Sequence, residues 1–165
     1  MGFTDAVKTC FRKYVTFSGR ASRSEYWWFA LFVVVTTIIL SIIDVIIFGA
    51  GENEVRPISS IFQLGTFLPG LAAGWRRMHD SGRPGWYLLI PMIVSFGVAI
   101  VILGGVMMLG AAGVNGGDAA GPLAAIGGIG IIAIVIIEIA IFVLMLWWLT
   151  RLSDPGANAY GPAPV

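Results

Sequence analysis

The amino-acid sequence predicts an all-α integral membrane protein with four transmembrane helices, preceded by an N-terminal amphipathic interfacial helix. Of its 165 residues, 58% are hydrophobic and 12% are charged, and the mean hydropathy is +0.90. Soluble domains carry about 25% charged residues. Four apolar runs approach the roughly 20 residues that a spanning helix needs, and they lie at about 27–49, 58–75, 86–112 and 123–149. The whole chain is therefore expected to form a single membrane domain.

The first element precedes these runs and is predicted as an amphipathic helix over residues 3–17. Apolar side chains recur there at helical spacing from Phe3 to Tyr14, and the basic residues lie off that stripe. Such a stripe is buried either on the surface of the bilayer or against the protein's own helices. The sequence leaves both alternatives open, because each buries the same side chains.

Local signals mark where the following elements begin and end. The capping-box spacing of Ser22 and Glu25 predicts that the first spanning helix begins at Arg23. The connection between the third and fourth spans is rich in glycine around residues 113–118, which is typical of a flexible external loop. The cytoplasmic tail, residues 150–165, contains several prolines and is predicted to be extended.

The basic residues predict the orientation of the chain. Nine of its ten lysines and arginines fall in the N-terminal lead, the second connection and the tail, and Arg56 alone falls in the first connection. Positive charge is enriched on the cytoplasmic side of membrane proteins, so both termini are expected to be cytoplasmic. The tryptophans fall at the same ends of the spans, as interfacial side chains do: Trp27, Trp28, Trp75, Trp86, Trp147 and Trp148.

A polar layer is predicted inside the membrane. An acid at the bilayer centre costs about 2.5–3.5 kcal/mol on insertion scales, and Glu138 lies near the middle of the fourth span. At a rise of 1.5 Å per residue, hydroxyl groups of the other spans lie at a similar depth, about 14–16 Å. The layer comprises Thr36, Thr37, Thr66, Ser95 and Glu138. It is either a proton- or ion-responsive site or a set of hydrogen bonds that fixes helix packing.

Further contacts between the spans follow from single residues. Pro69 leaves the carbonyl of Gly65 without its helical donor, which adds one acceptor to the polar layer. Asp44, near the external end of the first span, is expected to meet Gln63 at similar depth and the long side chain of Arg56. The small-xxx-small spacing of Gly70 and Gly74 predicts a close helix contact.

The connection between the second and third spans holds more polar chemistry than a turn requires. Residues 75–86 contain three arginines and the single histidine of the chain. Guanidinium groups suit lipid phosphates, so Arg76, Arg77 and Arg83 are candidate lipid ligands. The alternative is an internal ionic lock, in which Asp80 or Glu25 pairs with one of the arginines and holds the topology.

Catalysis and cofactor binding are not expected. His79 and Asp80 could form a general base with its orienting acid, but adjacent residues on a helix do not face each other. One histidine and the single Cys10 are too few for a metal site. A net charge of +1 gives no field that would attract nucleic acid. We therefore predict a protein that is not an enzyme and has no cofactor.

Three blocks of the chain resemble a known family. They read YVTFSGRASRSEYWWF at 14–29, RRMHDSGRPGW at 76–86 and GANAYGPAP at 156–164. In these blocks the chain resembles the bacterial inner-membrane proteins of the DUF805 type, a domain of unknown function. The family more often has leucine where Met78 stands and serine where Pro84 stands. The resemblance implies a helical protein of the bacterial inner (plasma) membrane and implies no activity.

The three blocks all fall on the predicted cytoplasmic side, so we expect them to meet in one polar cluster. Its members are Arg20, Arg23, Glu25, Arg76, Arg77, His79, Asp80, Arg83, Asn158 and Tyr160. The expected function is that of a binding or scaffold protein, whose cluster holds an anionic phospholipid headgroup or a partner. The alternative is a small transporter or channel component that uses Glu138. Because four short helices make a thin pathway, that alternative requires a homo-oligomer.

Overall fold

The computed structural model describes residues 1–51, 56–111 and 120–164, and these ranges are helical apart from their connections and the tail. The helices are α1 (Phe3–Arg12), α2 (Arg23–Phe48), α3 (Pro57–Asp80), a 3₁₀ helix (Gly85–Leu89), α4 (Ile90–Ala111) and α5 (Ala120–Thr150). The described ranges hold one isolated β-bridge, between Asn158 and Gly161, and no strand. The predicted all-α class is therefore confirmed, whereas the glycine-rich connection at 113–118 lies outside the described residues.

Three segments of the described chain are long and apolar enough to cross a membrane. They are Arg23–Phe48, Gly85–Gly105 and Ile132–Thr150, and they coincide with the first, third and fourth predicted spans. The second predicted span forms most of α3, a helix of 24 residues that mixes serine, glutamine, threonine and glycine into its apolar sequence. Its last turn continues beyond the predicted span and ends at Asp80.

The chain divides into two compact units. The first unit comprises Met1–Tyr87 and Trp148–Val165, and the second comprises Leu88–Trp147. The first unit thus contains α1, α2, α3 and the C-terminal tail, and the second contains α4 and most of α5.

Helix α1 ends at Arg12, five residues before the predicted end at residue 17. The backbone carbonyls of Lys13 and Thr16 accept hydrogen bonds from Arg76 Nη1, at 3.3 and 2.7 Å. The hydroxyl group of Tyr14 donates to the carbonyl of Gly65 in α3. The segment that follows α1 is therefore held by contacts with α3 and does not continue the helix.

The aromatic stripe of α1 packs against α2. Phe3 makes edge contacts with Trp28 and Phe32, with ring centroids 5.9 and 6.4 Å apart. Phe11 makes edge contacts with Phe29 and Phe32, at 5.6 and 6.0 Å. Both phenylalanines stay partly exposed, at 44% and 39%. In the structure the stripe thus lies against the protein's own helix and keeps an outward-facing apolar edge.

Two of the predicted helix contacts in the first unit are found. The hydroxyl group of Ser22 accepts from the amide of Glu25 at 3.2 Å, and α2 begins at Arg23 as predicted. Gly70 lies against α2, since a Cβ atom there would stand 3.8 Å from the ring of Phe29. An alanine side chain would also fit at that distance, so the contact is ordinary van der Waals packing.

Of the two predicted partners of Asp44, Gln63 is wrong, and Arg56 acts only through an electrostatic attraction. Its fully buried carboxylate accepts from the amide of Ile58 at 3.1 Å and from that of Ser59 at 2.8 Å. The first amides of a helix lack partners within it, so an acid on α2 satisfies the beginning of α3. Gln63 takes no part in these bonds, and Arg56 contributes an electrostatic attraction without an ion pair to Asp44.

Candidate functional site

Asp80, the last residue of α3, lies at the centre of a buried polar cluster in the first unit. Its carboxylate accepts from Arg20 Nε at 3.0 Å and forms an ion pair with the same guanidinium, whose Nη2 lies 2.9 Å from Oδ1. The same carboxylate accepts from Arg77 Nη1 and from the hydroxyl group of Ser153. Asp80 is fully buried, and its carboxylate thus joins the N-terminal lead, α3 and the tail.

Arg20 fixes the tail through its remaining donors. Its Nη2 donates to the carbonyl of Asp154 at 2.7 Å, and its Nη1 donates to those of Gly156 and Gly161, at 2.6 and 3.4 Å. The side chain is buried. The tail is non-helical, but it turns back at Asn158–Gly161 and so is not extended throughout. A guanidinium group from the lead holds it in place.

Arg77 likewise binds backbone carbonyls, at the C-terminal end of α5. Its Nε donates to the carbonyl of Leu149 at 3.0 Å, and its Nη2 donates to the carbonyl of Arg151. The last carbonyls of a helix lack intrahelical donors and favour a cation. Burial lowers the pKa of Arg77, and the neighbouring Asp80 opposes that shift.

A third ion pair, separate from Asp80, joins α3 to the beginning of α2. Arg76 Nη2 donates to the Glu25 carboxylate at 2.8 Å, and both side chains are buried. The carbonyl of Arg76 accepts from the amide of Ala21 at 3.1 Å. Since the Arg76 side chain also binds the carbonyls that follow α1, this residue fastens three consecutive parts of the chain together.

His79 connects α3 to the tail without pairing with Asp80. Its ring stacks on Tyr160, with centroids 3.9 Å apart and planes 4° from parallel. Its Nδ1 lies 3.1 Å from the carbonyl of Gly19, so Nδ1 carries the proton, and its own carbonyl accepts from Asn158 Nδ2 at 2.9 Å. Burial lowers the pKa of His79 from the ordinary 6.5. The ring is therefore a neutral packing and hydrogen-bonding group at neutral pH.

Burial changes which arginines can meet a ligand. The three guanidinium groups of Arg20, Arg76 and Arg77 are enclosed and bound to internal acceptors. In this structure these three groups therefore have almost no exposed surface at which a lipid could bind. Arg83 is half-buried and donates to the carbonyl of Ser81. Its guanidinium carbon lies over Trp148, 5.2 Å from the ring centroid. Arg23 is exposed.

Arg23 lies beside an open groove of about 550 Å³ in the first unit. The groove is lined by Ser22, Arg23, Ser24, Trp27, Thr150 and Ser153. One wall is the beginning of α2, and the other is the end of α5 with the first residues of the tail. Its four hydroxyl residues are not predictable as a group from the sequence, because they come from segments that are about 125 residues apart. The one available signal was that two of these serines flank Arg23.

Within the predicted intramembrane layer, the structure brings together one pair. In the second unit the hydroxyl group of Ser95 donates to the Glu138 carboxylate at 3.0 Å. In the first unit the Thr66 hydroxyl group donates to the carbonyl of Phe62, in its own helix, at 2.8 Å. The free carbonyl at Gly65 is bound by Tyr14. Thr36 and Thr37 lie half-buried on α2.

The described residues hold no group of three or more histidine, cysteine, aspartate or glutamate side chains that could bind a metal. Cys10 is buried among Phe29 and Ala73. Burial, together with the nearby Glu25, raises the pKa of the Cys10 thiol to about 12. The thiol is therefore protonated at neutral pH and packs as a small apolar group.

These features define a helical membrane protein in which a buried network of arginines and acids joins the lead, α3 and the tail. The chain belongs to the family described as protein of unknown function (DUF805), which it matches over residues 14–162. It is 34% identical to inner membrane protein YhaH of Escherichia coli (strain K12) over 92 residues, or 56% of this chain and 76% of that protein. It is 36% identical to inner membrane protein YhaI of the same strain over 92 residues, or 56% and 75%. No solved structure matches the chain.

Proposed function

We propose that this protein is a four-span protein of the inner membrane that binds the headgroup of an anionic phospholipid in the groove beside Arg23. Both termini and the groove lie on the cytoplasmic side in this proposal. The protein acts as a binding or scaffold protein, with its buried polar cluster as the internal support of the groove.

The length and composition of α3 support a fourth span. Its 24 residues extend over about 36 Å, which exceeds the roughly 30 Å of the hydrocarbon core. Residues 57–75 contain no acidic or basic side chain. With α3 as a span, the N-terminal lead, the Arg76–Arg83 turn and the tail share one side of the membrane, and the positive-inside bias assigns that side to the cytoplasm.

The observation that carries the proposal is the exposed guanidinium of Arg23 in a groove lined by four hydroxyl residues. Guanidinium groups donate paired hydrogen bonds to phosphate oxygens. The site also lies at the N-terminus of a helix of 26 residues, where the helix dipole favours an anion. Trp27 lines the same groove, and tryptophan side chains favour the headgroup level of a bilayer.

The buried cluster supports this role because it holds both walls of the groove. Arg77 binds the carbonyls of Leu149 and Arg151, next to Thr150 in one wall. Asp80 binds the hydroxyl group of Ser153 in that wall, and through Arg20 it is joined to the chain just before the other wall. The cluster therefore fixes the spacing of groups that would face a phosphate.

Lipid binding by purified full-length protein tests the proposal. Phosphatidylglycerol is titrated into detergent-solubilised protein and the bound lipids are counted by native mass spectrometry, with phosphatidylcholine as the zwitterionic arm. Arg23→Gln should weaken the preference for phosphatidylglycerol roughly tenfold, the loss expected for one charge-assisted hydrogen bond. Arg12→Gln, which removes an exposed arginine of α1, is the matched control and should leave the preference unchanged. Equal lipid preference in the wild-type protein and Arg23→Gln would overturn the proposal.

Labelling of single cysteines tests the topology in a Cys10→Ser background. Cysteines are introduced at the exposed positions Gly51 and Trp86, which precede and follow α3. A membrane-impermeant reagent added to spheroplasts should label position 51 and should label position 86 only after permeabilisation. Labelling of both positions before permeabilisation would show that α3 does not span.

A further inference from the structure

A second groove runs along the C-terminal half of α2, away from the residues around Arg23. It encloses about 370 Å³ and is lined by Thr37, Ile38, Ser41, Ile42, Val45, Ile46 and Arg56. Its lining residues on α2 recur at helical spacing and therefore form one face of the helix. Between Thr37 and Ile46 the groove covers about 14 Å, which is close to half of the roughly 30 Å hydrocarbon core. Its length thus matches the depth of one leaflet.

The wall of this groove is apolar, and its end carries a positive charge. Ile38, Ile42 and Ile46 are each more than half exposed, which leaves their side chains for an apolar occupant. Arg56 stands just before α3 and is exposed. A long arginine side chain at the end of a span can extend toward the headgroup level of the bilayer.

Arg56 attracts the nearby Asp44 electrostatically, but its guanidinium forms no ion pair with that acid. The nearby acid, Asp44, gives one carboxylate oxygen to the amide of Ile58 and the other to the amide of Ser59. Among the described residues no ion pair joins Arg56 to an acid. A guanidinium at the end of an apolar groove is complementary to an anion attached to a hydrocarbon chain.

We propose that this groove binds one phospholipid molecule, with an acyl chain along α2 and the phosphate on the guanidinium of Arg56. A second copy of the chain is disfavoured as occupant, because an apolar helix laid in the groove would give Arg56 no anionic partner. The inference goes beyond the function proposed above and shares no residue with the groove at Arg23. Each can therefore fail without the other.

The test compares a phospholipid with its phosphate-free counterpart. Full-length protein is stripped of lipid in detergent and titrated with phosphatidylglycerol or with diacylglycerol of the same chains, and bound molecules are counted by native mass spectrometry. The wild-type protein should retain two phospholipids tightly, and Arg56→Gln should weaken one of them roughly tenfold, as for one lost charge-assisted hydrogen bond. Arg23→Gln should weaken the other, and the double variant should weaken both. Arg12→Gln is the matched charge control.

A second variant tests the apolar part of the site. Ser41→Phe fills the groove and should weaken both phospholipid and diacylglycerol, whereas Ile39→Phe adds a ring to an exposed position of α2 outside the groove and should weaken neither. If Ser41→Phe fails to fold, as judged by circular dichroism, phospholipid binding by Arg56→Gln is the remaining test of the inference. Unchanged phospholipid binding by Arg56→Gln overturns the inference. It is also overturned if Ser41→Phe abolishes a crosslinked dimer and leaves lipid binding intact, since the groove then binds a second copy.

Discussion

The two units of this protein use polar side chains in opposite ways. The first unit encloses the ion pairs Arg20–Asp80, Arg77–Asp80 and Arg76–Glu25, all with side chains almost completely buried. The described part of the second unit is dominated by exposed apolar side chains, and its polar contacts include that of Ser95 with Glu138. One unit is therefore organised by buried charges, and the other by apolar surface that faces its surroundings.

The difference shows what a buried charge requires. Removing an ion from water costs several kcal/mol, and an ion pair offsets that cost only when further hydrogen bonds satisfy its remaining donors and acceptors. Arg20 and Arg77 meet this condition through backbone carbonyls of the tail and of α5. Apolar helices in a bilayer satisfy their backbone internally, so the second unit needs no such network. Substitutions should therefore lower the free energy of unfolding strongly in the first unit and only slightly in the second.

Asp80→Asn should have the largest effect. It removes the charge that faces both Arg20 and Arg77, and the loss of one partner of a buried pair costs about 3–5 kcal/mol. This loss is measured as the decrease in the free energy of unfolding, from denaturant titration in detergent. Asp5→Asn, at an exposed site of α1, is the control and should change little. A loss below about 1 kcal/mol for Asp80→Asn would mean that the cluster does not organise the first unit.

A pair of glycine substitutions compares packing in the two units. At Gly85 a Cβ atom would overlap the indole ring of Trp75, so Gly85→Ala should destabilise by about 1–3 kcal/mol, as overpacked substitutions do. At Gly97, in α4, no atom lies within 4 Å of such a Cβ. Gly97→Ala should be neutral or stabilise by up to about 1 kcal/mol, because alanine favours the helix. Equal changes in the free energy of unfolding for the two variants would contradict the difference in packing between the two units.

Acidification should act on the first unit through His79. Burial lowers the pKa of His79 in the folded protein below its ordinary 6.5, so the unfolded chain takes up the proton first as the pH falls. The contribution of neutral His79 to the free energy of unfolding is complete above pH 6.5. It is lost as the pH falls through the pKa that His79 has in the folded protein, with a slope no steeper than about 1.4 kcal/mol per pH unit. His79 is the single histidine of the chain. In unfolding titrations between pH 7.5 and 5.5, His79→Gln should abolish this slope, and an unchanged slope would exclude His79 as its source.

The sequence predicts the helical fold because hydropathy and caps act locally. The beginning of α2 follows from Ser22, which is three residues from the amide it binds. The meeting of the three family blocks was likewise predicted, from shared sidedness, and in the structure Asp80 binds Arg20 of the first block while the neighbouring His79 binds Asn158 of the third. The early end of α1 was missed, because Arg76, which binds the segment that follows α1, lies about 60 residues away.

What sequence reasoning could not supply is the partner of each polar group. Depth along a helix does not state the direction in which a side chain points. Asp44 was therefore matched with Gln63 at equal depth and instead binds the first amides of α3. In the same way, a cluster of arginines in a sequence is compatible with an exposed ligand site and with a buried network. Burial decided between these alternatives for Arg76 and Arg77.

Glu138→Gln should have the smallest effect, and it addresses the second unit directly. A glutamine side chain can still accept the hydrogen bond from Ser95, and polar contacts between membrane helices contribute about 0.6 kcal/mol on average. The free energy of unfolding should therefore change by no more than that amount, and Glu138→Leu should cost about the same as Ser95→Ala. The alternative function as a transporter or channel component predicts instead that proton flux into proteoliposomes is lost in Glu138→Gln, with Ser95→Ala retaining part of it. Proton flux that depends on Glu138, in a protein of unchanged stability, would mean that the second unit carries out transport.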